Sequence, residues 1–244
     1  MSKAIAIVGA GPGVGLSVAE RFGEEGFKVA LIARNADKLA GMVKTLQERG
    51  IEAAAFSADV CDRNALAAAL QQTVARFGAI DVLEYSPTAT ADSLKSPRNM
   101  TEDNEQFHLN LGVLGAITAV NNVLPAMQGR KDAAILFTTA ASAQYPVTFT
   151  ASFGVAAGAT LNYARVLHQE LAPEGIYVGI VSIAGLVVPP GEEHGRAGNG
   201  LSLMTAASVA DLHWDLYTRR DRIEAIIGDT DIIKQYATPK SASR

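Results

Sequence analysis

Four glycines, Gly9, Gly11, Gly13 and Gly15, stand in the segment IAIVGAGPGVG, where an apolar β-branched run gives way to a helical pattern. Glycines are needed in such a turn because the chain takes positive φ and the backbone must approach a ligand with no Cβ in the way. The helix that follows presents free N–H groups and the positive end of its dipole, a site suited to phosphate. The spacing therefore predicts a cradle for the pyrophosphate of a dinucleotide. The second apolar run closes ALIARN, placing Arg34 nineteen residues beyond Gly15 and Asn35 next to it. An acidic residue there would take a ribose 2′-hydroxyl; arginine can fork onto a 2′-phosphate, which a carboxylate would repel. The expectation is NADP(H) in preference to NAD(H), with Lys38 one turn further adding charge or facing water.

The elements that must position these residues follow from periodicity. Short apolar runs alternate with longer stretches of helical period, the pattern of βαβ units and a parallel sheet. Seven strands are predicted, at about 4–8, 28–33, 52–57, 80–85, 133–139, 176–183 and 223–227. Helices are expected near 14–25, 36–49, 62–77, 101–128, 151–172 and 206–218, with Asn35, Asp62 and Thr101 as capping residues. Right-handed crossovers make this a single-domain, doubly wound Rossmann sheet with helices on both faces, spanning 1–244. Segments 86–100 and 188–203 follow strand ends, where such sheets bind ligands; the second, rich in proline and glycine, is expected to act as a lid.

Composition narrows the function classes. A formal net charge of −4 without runs of like charge leaves no electrostatic footprint for nucleic acid or an anionic membrane surface. The single cysteine, Cys61, cannot form an internal disulfide, and the apolar run after Lys3 is too short for a signal-peptide core, so a cytoplasmic protein acting on a small molecule is expected. His108 and His168 read as solvated or interface residues, and His213 with Trp214 as packing. His194 beside Glu192 and Glu193 lacks a regular ligand spacing, so no metal is expected.

Over almost its whole length the chain resembles the short-chain dehydrogenase/reductase family. Gly9, Gly13 and Gly15 resemble that family's TGxxxGxG, with Val8 in place of the threonine; Asp59-Val60 matches the pair that contacts adenine; Asn110 matches the asparagine of the fourth helix; and ELAPEGI, Glu170 to Ile176, matches the passage from fifth helix to sixth strand. The resemblance implies a cofactor over the carboxyl edge of the sheet and a homodimer or homotetramer paired through the fourth and fifth helices.

The resemblance fails at the reactive end. Hydride-transferring members carry a tyrosine and, four residues on, a lysine: the phenol exchanges the alcohol proton, and the ammonium lowers the phenol's pKa and holds the cofactor ribose. Phe153 and Ala157 occupy those positions here. Losing a general acid costs about 10²–10⁴ in rate, or roughly 3–5 kcal/mol of barrier. Thr139 takes the role of the substrate-polarising serine, unless a one-residue shift puts Ala140 there. Tyr145, Tyr85 or water could replace the lost acid, and Tyr85-Ser86-Pro87-Thr88 and Ile183-Ala184-Gly185 replace the family's NNAG and PG segments. Three readings follow: an NADP(H)-dependent oxidoreductase of a carbonyl, alcohol or activated double bond with a non-standard active site; a catalytically inactive NADP(H)-binding or regulatory protein; and a non-redox isomerase or lyase on the same scaffold.

Overall fold

Continuous apolar runs such as Ala4–Val8 and Lys28–Ala33 have no polar face to turn to water, so they lie in the middle of a sheet covered on both sides. In the computed structural model, which describes residues 2–189, 191–197 and 200–238, they form parallel strands in the order β3-β2-β1-β4-β5-β6. These are β1 Ala4–Val8, β2 Lys28–Ala33, β3 Ala53–Ser57, β4 Val82–Tyr85, β5 Ala134–Ala140 and β6 Tyr177–Val188. Two further strands, β7 Ser202–Thr205 and β8 Glu224–Gly228, share the far edge of β6: β8 pairs with Ile180 to Ala184 and β7 with Gly185 to Val188. Among the described residues the sheet thus has eight strands rather than the seven expected. β6 outruns its expected end by five residues, and the edge so created takes up β7 from what was expected to be the end of a lid.

Helices α1 Val14–Glu24, α2 Ala36–Glu48 and α7 Ala206–Arg219 cover one face of the sheet; α3 Arg63–Phe77, α5 Gly115–Met127 and α6 Ala151–Leu171 cover the other. Asn35, Asp62 and Thr101 each cap a helix as expected, accepting from Lys38 N, from Asn64 N and Ala65 N, and from Asn104 N. The predicted 101–128 helix is α4 Glu102–Leu109, a π-helical turn over Asn110–Leu114, and α5. Within the turn Gly115 N donates to Asn110 O, five residues back, while the carbonyl of Leu111 accepts from the Tyr85 hydroxyl at 2.7 Å. A Cβ on Gly115 would lie 2.1 Å from that hydroxyl, so glycine is required for the contact.

By length and composition Glu102–Met127 is the one helix among the described residues that could cross a membrane. One side of it, including Ala116, Ala119, Val120, Val123 and Met127, is buried in the core. A short helix absent from the sequence expectation, α8 Thr230–Ala237, is capped by Asp229 and packs Ile233 against Ala141, Val147, Ala184 and Leu201.

Candidate functional site

The strand order reverses between β1 and β4, which opens a crevice at their carboxyl ends. Gly9 stands there with φ +89°, its N–H bonded to Ile32 O at 2.9 Å, and a Cβ on it would lie 2.5 Å from Pro87 N in the loop after β4. At Gly15 a Cβ would lie 2.9 Å from Ala10 Cα. These two glycines let the loop fold tightly. At Gly11 and Gly13, in contrast, a Cβ would meet nothing within 4 Å, so the backbone there borders open space. No side chain caps α1 and no acidic residue occupies its first turn, so nothing among the described residues competes with an anion for that amino terminus. The residues present fit a pyrophosphate.

Beside this loop lies a cavity of about 150 Å³ whose lining includes Gly9, Arg34, Ala58, Val60, Pro87 and Leu111. Arg34 is exposed and forms no ion pair among the described residues. Asn35 turns its amide oxygen to the α2 cap, and Asp59 holds the turn after β3 by accepting from Cys61 N at 2.9 Å; Val60 is the member of that pair that lines the cavity.

A cleft of about 670 Å³ runs from Gly11 and Gly13 past Ser86 and Thr138 to Ser142 and Phe153. Much of its far wall is apolar: Leu94, Val147, Phe149, Ile183, Leu201 and Ile233. Both segments singled out in the sequence border it, 86–100 through Ser86 to Ala89 and Leu94, and 188–203 through Leu201; Pro190, Gly198 and Asn199 of the second lie outside the described residues. The 86–100 loop is tied down where Ser152 Oγ of α6 accepts from Lys95 N at 3.0 Å.

The residues proposed for chemistry divide. Thr139, 8% exposed, lines the cleft, as do Ala140 and Phe153, whose ring lies edge-on to His108 at 6.3 Å. His108 is therefore no solvated residue: it is buried, with Nε2 at 3.1 Å from Ser93 O. Ala157 is buried one turn beyond Phe153 and takes no part in the wall. Tyr145 stands outside the cleft wall, packed beside α8 with the Lys234 ammonium 5.3 Å from its ring. Tyr85 is buried with its hydroxyl given to Leu111 O, and burial raises its pKa well above the usual phenol value. Asn110, in the π turn, accepts from Gln106 Nε2 at 3.1 Å. Ser142, which the sequence did not single out, has its hydroxyl buried at the cleft with no partner among the described residues.

One group escaped the sequence reading altogether. Glu84, on β4, is fully buried, with Oε2 at 2.8 Å from the Ser86 hydroxyl and Oε1 at 2.8 Å from that of Thr138. Thr138 Oγ1 also lies 2.8 Å from Nε2 of His213, a fully buried residue of α7. Burial pushes the Glu84 carboxyl up to about 7, against the opposing pull of its two hydroxyl partners, and pushes His213 down to about 3. With His213 uncharged above about pH 3, the 4.0 Å approach of the two is not an ion pair, and below about pH 7 Glu84 too is predominantly neutral.

Residues 3–193 match the family model of short chain dehydrogenases. The chain belongs to that family. It is 30% identical over 213 residues to a 3-dehydrosphinganine reductase of Arabidopsis thaliana, 84% of this chain but 63% of the relative, so it spans under two thirds of that protein. A 3-oxoacyl-acyl-carrier-protein reductase of Staphylococcus epidermidis is 27% identical over 183 residues, 75% of this chain and 74% of the relative. The fold is that of L-sorbose reductase from Gluconobacter frateurii, solved with NADPH and L-sorbose (TM-score 0.81, 21% identity, 93% of this chain and 95% of that one). It is equally that of a short chain oxidoreductase of Pseudomonas aeruginosa PAO1 described as containing an atypical catalytic center (TM-score 0.81, 22% identity, 92% and 94%).

Proposed function

We propose that this short chain dehydrogenase is an NADP(H)-dependent oxidoreductase acting on a carbonyl, alcohol or activated double bond through a non-standard active site. The observation that carries the reading is a pair of cavities that share Gly9, Pro87 and Thr88 in their walls, one reaching Arg34, which forms no ion pair among the described residues, and the other lined by hydroxyls and apolar side chains. Arg34 takes the 2′-phosphate, Val60 and Ala58 flank the adenine, and the amino terminus of α1 binds the pyrophosphate. When bound, the cofactor supplies or accepts hydride at the far end. There the apolar wall excludes water and sets the substrate's orientation, and Thr139 and Ser142 offer hydroxyls to its oxygen. That the relatives named above are reductases, and that L-sorbose reductase was solved with NADPH, supports the assignment. The apolar wall favours a substrate with a hydrocarbon portion. The exposed Val155 and Val166 of α6 support a homodimer or homotetramer built on that helix and its neighbours.

The test is turnover of NADPH, or of NADP⁺ in reverse, across a panel of ketones, enones and secondary alcohols with apolar chains. The reading predicts a change in reduced-nicotinamide absorbance that Thr139→Ala or Ser142→Ala weakens. Tight binding of NADPH with no turnover across the panel would move the protein to the regulatory reading.

A further inference from the structure

A buried carboxyl with no cation beside it is costly to keep charged, and a network of this kind is held no more cheaply than a well-packed apolar core. Glu84 nonetheless sits in the sheet with Ile7 of β1 and Leu136 of β5 beside it in register, and the titratable group facing it from α7 is His213, itself kept neutral by burial. Among the described residues no lysine or arginine pairs with it. Both hydroxyls that touch Glu84, those of Ser86 and Thr138, belong to residues that also line the cleft. The carboxyl is therefore sealed from water yet one hydroxyl away from anything bound there.

We propose that Glu84 is the proton store of this cleft, exchanging its proton through the Ser86 hydroxyl with an oxygen bound there, in place of the absent phenol and ammonium. The hydrogen bonds define two states. With the proton on Oε2, Glu84 donates to Ser86 Oγ, Thr138 donates to Oε1 and accepts from His213 Nε2–H, and the Ser86 proton is left to point into the cleft. With Glu84 ionised, Ser86 turns its proton back onto Oε2, and its oxygen accepts from the cleft. The His213–Thr138 link is the same in both, and it leaves Nδ1 of His213 as a bare acceptor, which matches the lack of a partner for that atom. In the reducing direction an alkoxide formed in the cleft takes the Ser86 proton as Ser86 takes that of Glu84, giving an alcohol, an intact serine and a carboxylate. In the oxidising direction each transfer reverses, and Glu84 ends protonated. The hydride acceptor or donor is the nicotinamide of the proposed function, so the use of the store rests on that reading while its existence does not.

The test reads Glu84 directly, by carboxyl NMR of protein labelled at glutamate ¹³Cδ, titrated with and without NADP⁺. One resonance titrating near pH 7 is expected, lost in Glu84→Gln and moved to higher pH in Ser86→Ala, which assigns it even if the glutamine variant fails to fold. Because the oxidised nicotinamide carries positive charge, NADP⁺ should move the midpoint down and release protons near neutral pH, measured with an indicator dye, from wild type and not from Glu84→Gln. A Glu84 that titrates in the ordinary carboxylate range overturns the proposal, as does a midpoint unmoved by bound NADP⁺. Failure of NADP⁺ to bind, seen by fluorescence, sinks the cofactor reading alone, and the free-protein midpoint then decides the proton store.

Discussion

Replacing Glu84 by glutamine should change the shape of the stability profile with pH, and the size of the change follows from the two buried groups. The Glu84 carboxyl rises from 4.5 to about 7 on folding, so between those values the folded protein holds a proton that the unfolded chain has lost. That stabilises the fold by about 3 kcal/mol in acid, a contribution lost as pH rises through 7. His213 falls from 6.5 to about 3, so the unfolded chain takes up a proton that the folded protein refuses, and stability is lost as pH falls through that window. Between 4.5 and 6.5 the two states bind equal numbers of protons at this pair, one on Glu84 in the fold and one on His213 in the unfolded chain. Their contributions to the slope cancel. In Glu84→Gln the histidine acts alone, so stability should fall below pH 6.5 by about 1.4 kcal/mol per unit. The substitution should then cost about 3 kcal/mol more at pH 4.5 than at pH 7, read from urea unfolding midpoints. Parallel profiles for wild type and variant would refute the reasoning, because Glu84 would then be titrating alike in both states.

Three other variants test the positioning elements and the reactive end. Gly9→Ala places a methyl 2.5 Å from Pro87 N at φ +89°, so melting temperature and cofactor binding should both drop, the fold losing about 2 kcal/mol or more. Tyr85→Phe strands the Leu111 carbonyl beside the π turn and should cost about 1–3 kcal/mol in urea unfolding, with no gain or loss of a catalytic acid. If Phe153 and Ala157 stand at the family's tyrosine and lysine positions, as proposed, the pair Phe153→Tyr with Ala157→Lys supplies a phenol and an ammonium there, and hydride transfer measured by nicotinamide absorbance should rise by up to about 10²-fold.

The strands and the glycine loop were readable because their information is local: apolar runs fix β1 to β6, and the glycines with Arg34 lie within one βαβ unit. β7 and α8 were missed for different reasons. Ser202–Thr205 is a four-residue strand that exists only because β6 overruns, and TDIIKQYA is a two-turn helix held by packing on Ala141 and Leu201 rather than by a long periodic stripe. At the reactive end, counting along the chain singles out Phe153 as the residue expected at the family's tyrosine position, and Phe153 lines the cleft. Glu84 was not legible. Its partners Thr138 and His213 stand on other elements, Thr138 54 residues away from Glu84 and His213 a further 75 from Thr138, and only the strand order β4-β5 with α7 packed over it brings them together. Tyr145 was a candidate acid from its place in the loop after the fifth strand, but α8, itself unforeseen, lies against it.

Recognition of a 2′-phosphate by Arg34 beside the glycine loop is the central proposal for this protein. Fluorescence titration of NADPH and NADH against wild type and Arg34→Ala should show wild type preferring NADPH by about 10- to 100-fold, the worth of a charge-assisted hydrogen bond or pair of them. The arginine variant should bind NADPH and NADH alike, with NADH affinity unchanged. Equal affinities in wild type, or a preference that survives the loss of Arg34, would contradict it.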